Sequence, residues 1–140
     1  MMLADVISGR QGGVYWVADG VSAAVRSAAI PPRHVLVHGA RDKAELLKGL
    51  ASALQLPEWF GHNWDALEEC LLDLPIGPEG LVLELSGLAP LARRDPDSAR
   101  TLVDILQEAV AHRSAQDRRL LVLASGERWL LPPMAALERG

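Results

Sequence analysis

The sequence predicts an α/β fold in which a three-stranded parallel sheet is packed by helices. Three short apolar runs have the composition of buried strands, and segments with helical periodicity separate them. Alternating strands and helices are typical of parallel sheets with right-handed crossovers. The predicted strands are apolar almost throughout, as expected for strands that helices cover. The 140 residues, 49% hydrophobic and 23% charged, suit one domain with its own core.

The first half of this core begins with a predicted strand at residues 34–38, which Gly39 closes. A first helix is predicted at 43–54, where Asp42 is the expected N-cap and Glu45 completes a capping-box pattern. Pro57 ends that pattern. A second helix follows the turn at 61–63, with Asn63 as its cap. Its apolar stripe has i, i+3, i+4, i+7 spacing and comprises Leu67, Cys70, Leu71 and Leu74.

The second half begins with a predicted strand at residues 80–85. The stretch 87–96 looks irregular, with room for one helical turn. A third long helix follows, for which Asp97 or Ser98 is the expected N-cap. The last core strand is predicted at 119–123. The buried stripe of the third helix comprises Leu102, Ile105, Leu106 and Ala109.

The flanking segments divide the chain into an N-terminal extension at 1–33, a central domain at 34–125 and a C-terminal tail at 126–140. Most of the extension looks irregular. Within it, residues 14–17 have the pattern of a short strand, and 21–29 that of a weak, alanine-rich helix. The extension is therefore a candidate source of an extra strand.

Charge and motif content exclude several classes of function. A net charge of −4 disfavours nucleic-acid binding and suits a basic protein partner better. Neither a signal peptide nor a membrane-spanning run is recognisable, so we expect a cytoplasmic protein with no membrane contact. Phosphate-cradling glycine loops and the GxSxG elbow are missing.

Candidate reactive groups do not assemble into a catalytic or metal site. Cys70 lies on an apolar helical stripe, where a buried core residue is the better interpretation than a nucleophile. His34 and His38 share a strand face without a third ligand, and His62 with Asp65 lacks further ligands as well. We therefore expect no enzyme activity, no metal and no cofactor, although a small hydrolase using His62 and Asp65 remains a minor alternative.

The start of the second helix is the candidate interaction site. Asp65, Glu68 and Glu69 have i, i+3, i+4 spacing and lie opposite the leucine stripe. Acids in a first turn are also explained by the helix dipole, which stabilises each by about 0.3–1 kcal/mol. The flanking residues 59–64 favour an interface, because they contain half of the aromatic residues of the chain beside a glycine turn. Trp59 is the expected exposed anchor, whereas Phe60 and Trp64 are expected to pack.

Residues 56–71, LPEWFGHNWDALEECL, resemble the signature of the barstar family, intracellular inhibitors of extracellular ribonucleases. The resemblance extends over about 34–125 and implies a small three-stranded parallel sheet packed by helices. It also implies that acids occupy the nuclease positions where RNA phosphates bind. Family contacts carry over to Trp59, Gly61, Asn63, Asp65 and Glu69, and to an acid on the last helix, Glu108. The complete predicted partner-binding set is Trp59, Gly61, Asn63, Trp64, Asp65, Glu68, Glu69 and Glu108.

Two residues depart from the best-known family member. Glu68 stands where that protein has a tryptophan, and Glu69 is one methylene longer than its aspartate. We therefore expect an immunity- or antitoxin-type inhibitor of a basic, barnase-type or related ribonuclease, monomeric when free, whose specificity differs from that of the best-known member. The alternative is an acidic adaptor that keeps the fold but binds a different basic protein.

Overall fold

A computed structural model describes residues 1–57 and 61–138. Helices and strands alternate along most of this part of the chain. In chain order they are α1 (Leu3–Ser8), β1 (Gly13–Trp16), α2 (Val21–Ser27), β2 (Arg33–His38), α3 (Lys43–Ala53), α4 (Trp64–Asp73), β3 (Leu81–Ser86), α5 (Ala89–Arg94), α6 (Pro96–Ala115), β4 (Leu120–Ala124) and β5 (Ala135–Ala136).

The strands form one parallel sheet in the order β2-β3-β4-β1-β5. The α/β class and the parallel sheet are confirmed, and β2, β3 and β4 are the three predicted core strands. The predicted number of three strands is wrong, because the sheet has five. The N-terminal extension supplies β1, as anticipated. The tail supplies β5, which has only two residues and therefore no readable alternation.

Helices pack against both faces of the sheet, and the burial pattern of each strand records which faces are covered. Helices α3 to α6 cover the first face, whereas α1 and α2 cover the second face over β1, β3 and β4. Strands β3 and β4 are apolar nearly throughout because both of their faces are covered there. Strand β2 alternates instead: Val35 and Val37 face the first core, whereas Leu36 is 53% exposed on the second face.

The N-terminal extension is integrated into this sheet. Strand β1 lies between β4 and β5, and the β1 residue Trp16 accepts a backbone hydrogen bond from Leu137. Arg119 binds the end of α1: its Nη1 donates to the carbonyl oxygens of Val6 at 3.1 Å and of Gly9 at 2.6 Å. The segments at 1–33 and 126–138 therefore complete the same sheet that the central segment begins.

Two helix starts in the central segment were predicted, and one of them differs in the structure. Asp42 caps α3 by accepting from the Glu45 amide at 2.9 Å, as predicted. Helix α6 begins two or three residues earlier than expected, at Pro96, and its cap is Asp95 rather than Asp97 or Ser98. Proline suits the first helical position because its missing N–H would be unpaired there. Residues 89–94 form the helix α5, where an irregular stretch was expected.

The Glu45 side chain ties the start of α3 to Arg41. Its carboxylate accepts from the Arg41 backbone amide and from the guanidinium, with Nη2 at 2.7 Å. These bonds lower the pKa of Glu45 from 4.5 to about 2, mainly through the guanidinium hydrogen bond. A carboxyl whose pKa is lowered by folding stabilises the fold above its unfolded pKa and loses that contribution as the pH falls through the folded value.

We therefore expect Glu45→Gln to be less stable than the wild type above about pH 4.5, with the difference vanishing as the pH approaches about 2. Urea unfolding followed by circular dichroism from pH 7 to pH 2 measures this. Glu138→Gln, which removes an exposed carboxylate at the opposite edge of the sheet, is the control. A difference between Glu45→Gln and the wild type that persists unchanged at pH 2 would contradict the assignment.

No helix among the described residues has the length and apolar character that a membrane span requires.

Candidate protein-binding face

Helix α4 begins at a turn that its own side chains stabilise. Asn63, in extended conformation, caps the helix by accepting from the Ala66 amide at 2.8 Å, as predicted. Its Nδ2 donates weakly to the Gly61 carbonyl at 3.4 Å. A Cβ atom at Gly61 would lie 3.0 Å from Asn63 Nδ2, closer than side chains normally approach. Gly61 and Asn63 therefore form the turn that orients the first residues of α4.

The inner side of α4 is fully packed. Leu67, Cys70, Leu71 and Leu74 are all at most 4% exposed, which confirms the predicted stripe. Burial raises the pKa of the Cys70 thiol, and the negative charges of Glu69 and Asp73 raise it further. The thiol therefore stays protonated at neutral pH, as expected of a core residue rather than a nucleophile.

The outer side of α4 carries the predicted acids. Asp65 and Glu69 are exposed and stand one helical turn apart, whereas Glu68 is half-buried. Asp65 lies in the first turn, where the helix dipole stabilises a negative charge. The packed stripe fixes the helix from below, so the carboxylates project from a rigid support.

The predicted aromatic flank is only partly described. Trp59 and Phe60 lie outside the described residues, so the role of Trp59 as an exposed anchor stays a prediction. Trp64 is half-buried and packs against the first core, as expected for it. The ammonium group of Lys43 lies 5.1 Å from the Trp64 ring centroid, a cation–π distance. Sequence spacing gave no signal for this contact, because the two residues lie on different helices.

Helix α6 packs beside α4 and carries the fourth predicted acid. Glu108 is exposed, and the stripe at Leu102, Ile105, Leu106 and Ala109 is buried, as predicted. Arg113, five residues further along α6, is 6% exposed. Its Nη1 donates to the carbonyl oxygens of Leu71 at 3.0 Å and of Leu74 at 2.8 Å. Arg113 was not among the predicted site residues, although an arginine on the apolar side of a helix is a readable sequence signal.

The strand-end histidines bond to the neighbouring strand. His34 Nε2 lies 2.7 Å from Glu84 Oε1, and His38 Nδ1 lies 2.7 Å from Ser86 Oγ. Within residues 1–57 and 61–138, no group of three or more His, Cys, Asp or Glu side chains is arranged to hold a metal ion.

The family model for barstar, described as the barnase inhibitor, matches residues 30–125. The chain belongs to the barstar family. The match contains both α4 and α6 and leaves α1, β1, α2 and β5 outside. Proteins of this family are inhibitors that bind a ribonuclease, and they are not enzymes. No curated protein matches the sequence significantly.

Proposed function

We propose that this protein inhibits a basic ribonuclease by placing the acidic outer side of α4 over the active site of the nuclease. The observation that carries the proposal is the pair of exposed carboxylates, Asp65 and Glu69, one turn apart on a helix whose other side is wholly buried. This helix lies inside the barstar match. A ribonuclease active site gathers cations to bind RNA phosphates, and carboxylates at that spacing are suited to pair with them.

Rigidity explains why these acids would bind tightly. Ordering flexible side chains and loops on association costs free energy, and a preorganised surface avoids part of that cost. The Asn63 cap and the buried stripe hold α4 in place before the partner arrives. Asp65 and Glu69 also repel each other at i, i+4 spacing, and a cation bound between them would relieve that repulsion.

The other predicted contacts would surround these two acids. In the proposed complex Gly61, Asn63 and Trp64 shape the entry to α4, Glu68 lies beside the central pair, and Glu108 adds a carboxylate from α6. Trp59 would be the aromatic anchor. Because Glu68 replaces a tryptophan and Glu69 is longer than an aspartate, we infer a target related to barnase but with a different arrangement of cations.

Binding to a barnase-type ribonuclease at two ionic strengths tests the proposal. We expect a dissociation constant well below 1 μM, inhibition of RNA cleavage, and an association rate that falls by about tenfold or more at high salt. Steering by surface charge has this salt dependence because counterions screen it. No binding at micromolar concentration to several basic ribonucleases would refute the proposal.

The acidic adaptor remains the second candidate, and the half-buried Glu68 favours it because a charge replaces an apolar contact of the best-known inhibitor. It would use the same outer side of α4 to bind a basic protein that cleaves no RNA. Affinity capture with the wild type beside Asp65→Ala/Glu69→Ala separates the two. A ribonuclease lost from the double variant supports inhibition, whereas loss of an unrelated basic protein supports the adaptor. In the proposed function the protein is cytoplasmic, and it is a monomer when no partner is bound.

A further inference from the structure

We propose that Arg113 is a positioning residue that sets the register between the two acid-bearing helices, α4 and α6. This inference rests on the proposed function and names what holds its binding surface in shape. Arg113 lies on α6, whereas both of its hydrogen-bond acceptors, the carbonyls of Leu71 and Leu74, lie at the end of α4. The guanidinium therefore joins the two helices directly.

The end of α4 is built to receive this group. The carbonyl of Leu71 would normally accept from the amide four residues later, but that residue is Pro75, which has no N–H. The last carbonyls of any helix also lack partners within the helix. Arg113 donates from one nitrogen to two of these carbonyls, at 3.0 and 2.8 Å. The negative end of the helix dipole favours a cation in the same place.

Burying the charge of Arg113 costs free energy that a role in core stability alone does not explain. It is 6% exposed, and burial lowers the pKa of its guanidinium, with Arg118 adding to that effect and Asp73 opposing it. Among the described residues, its Nε is buried without a hydrogen-bond partner. An apolar side chain of similar length often serves stability as well as a buried charge does. A guanidinium differs from an apolar side chain because its hydrogen bonds are directional and fix the positions of the carbonyl oxygens that accept them.

Two of the predicted acids lie a few residues from the hydrogen bonds that Arg113 makes to α4. Glu69 is two residues before Leu71 on α4, and Glu108 is five residues before Arg113 on α6. The buried stripe holds α4 against the core, but ridges-into-grooves packing scatters by about 15–20° in crossing angle, so the stripe does not by itself set the position of α4 along α6. The two hydrogen bonds restrict that position. A shift of α4 along α6 would move Asp65 and Glu69 relative to Glu108 and misplace them against the fixed cations of a partner.

The test compares Arg113→Met with two controls, each binding a barnase-type ribonuclease in surface plasmon resonance. Arg118→Met removes the same charge from an exposed position. Val25→Ala weakens the packing of α2 on the second face of the sheet, whereas α4 lies on the first face. We expect Arg113→Met to dissociate from the nuclease at least about tenfold faster than the wild type and to associate at an unchanged rate, because interface geometry acts mainly on the dissociation rate. Both controls should dissociate within about twofold of the wild type.

A second measurement needs no partner and keeps the inference testable if the proposed function fails. Spin labels at Glu69→Cys and Glu108→Cys, in a Cys70→Ala background, report the distance between α4 and α6 in the free protein. We expect Arg113→Met to shift or broaden that distance by about 1–2 Å, the size of ordinary helix shifts, and Arg118→Met to leave it unchanged. Arg113→Lys keeps the charge but not the planar fork. Its distance distribution should therefore lie between those of Arg113→Met and the wild type.

An unchanged distance distribution in Arg113→Met would overturn the positioning role, whatever the nuclease result. Dissociation as slow as that of Arg118→Met would overturn it as well. A changed distance in a protein that binds no ribonuclease would support the role of Arg113 and refute the proposed function.

Discussion

Asp65→Ala/Glu69→Ala is expected to bind a basic ribonuclease at least about 1,000-fold more weakly than the wild type. Truncating one member of a buried interfacial charge pair generally costs about 2–5 kcal/mol, and the barnase–barstar complex is a standard example of coupling between such charges. Each 1.4 kcal/mol is tenfold in affinity, so two truncations multiply to about this factor. Isothermal titration calorimetry at constant ionic strength measures the loss.

A charge-matched variant separates contact from net charge. Asp5→Ala/Glu138→Ala also removes two exposed negative charges, but from α1 and from the chain beyond β5. We expect it to slow association by only a few-fold at low salt and to leave dissociation unchanged. If both double variants weaken binding equally, the general negative charge of the protein, rather than the α4 surface, attracts the partner.

Folding should survive the α4 double variant. Asp65 and Glu69 are exposed, and the cap and inner stripe of α4 do not include them. Loss of two surface charges that repel each other costs little stability. A thermal midpoint within a few degrees of the wild type would show that the loss of binding is a surface effect.

Removal of residues 1–29 is expected to abolish folding, even though the remaining chain contains the whole barstar match. The extension covers Val82, Leu121 and Leu123, which are 0% exposed on the second face. Exposing three such side chains costs up to about 1.5–3 kcal/mol each, and total stability is only about 5–15 kcal/mol. Loss of β1 also leaves the edge of β4 unpaired, which favours aggregation.

Soluble yield, circular dichroism and dye binding of the shortened chain measure this outcome. A shortened protein that remains soluble and unfolds cooperatively on heating would show that the 30–140 segment folds without the extension.

A pair of point variants also tests whether the N-terminal extension covers the second face of the sheet. Leu36 and Leu123 lie in one row of the sheet, in register with Glu84 between them. Both face the second side, but Leu123 is 0% exposed and Leu36 is 53% exposed. Leu123→Ala should therefore cost about 2–5 kcal/mol of unfolding free energy, whereas Leu36→Ala should cost less than about 1 kcal/mol. Equal costs would mean that the extension does not cover the second face in solution.

Local patterns predicted those parts of the molecule whose structure depends on near neighbours in the chain. The i, i+3, i+4 spacing placed Leu67, Cys70 and Leu71 in the core, and the Asx caps at Asp42 and Asn63 lie where their side chains reach the next turn. The family signature at 56–71 is also a local pattern. It identified the barstar resemblance before any contact between distant residues was known.

The sequence by itself determined the parallel α/β class, the three central strands and the acid-bearing helix, because periodicity records which side of each element is buried. Only the tertiary structure decided that the extension and tail complete a five-stranded sheet, since strand order depends on contacts between distant segments. It likewise decided that Lys43 meets Trp64 and that Arg113 and Arg119 reach carbonyls 39 to 113 residues away. Such contacts arise from packing in three dimensions, and although spacing can place an arginine on the apolar side of a helix, it does not identify the distant group that the arginine bonds.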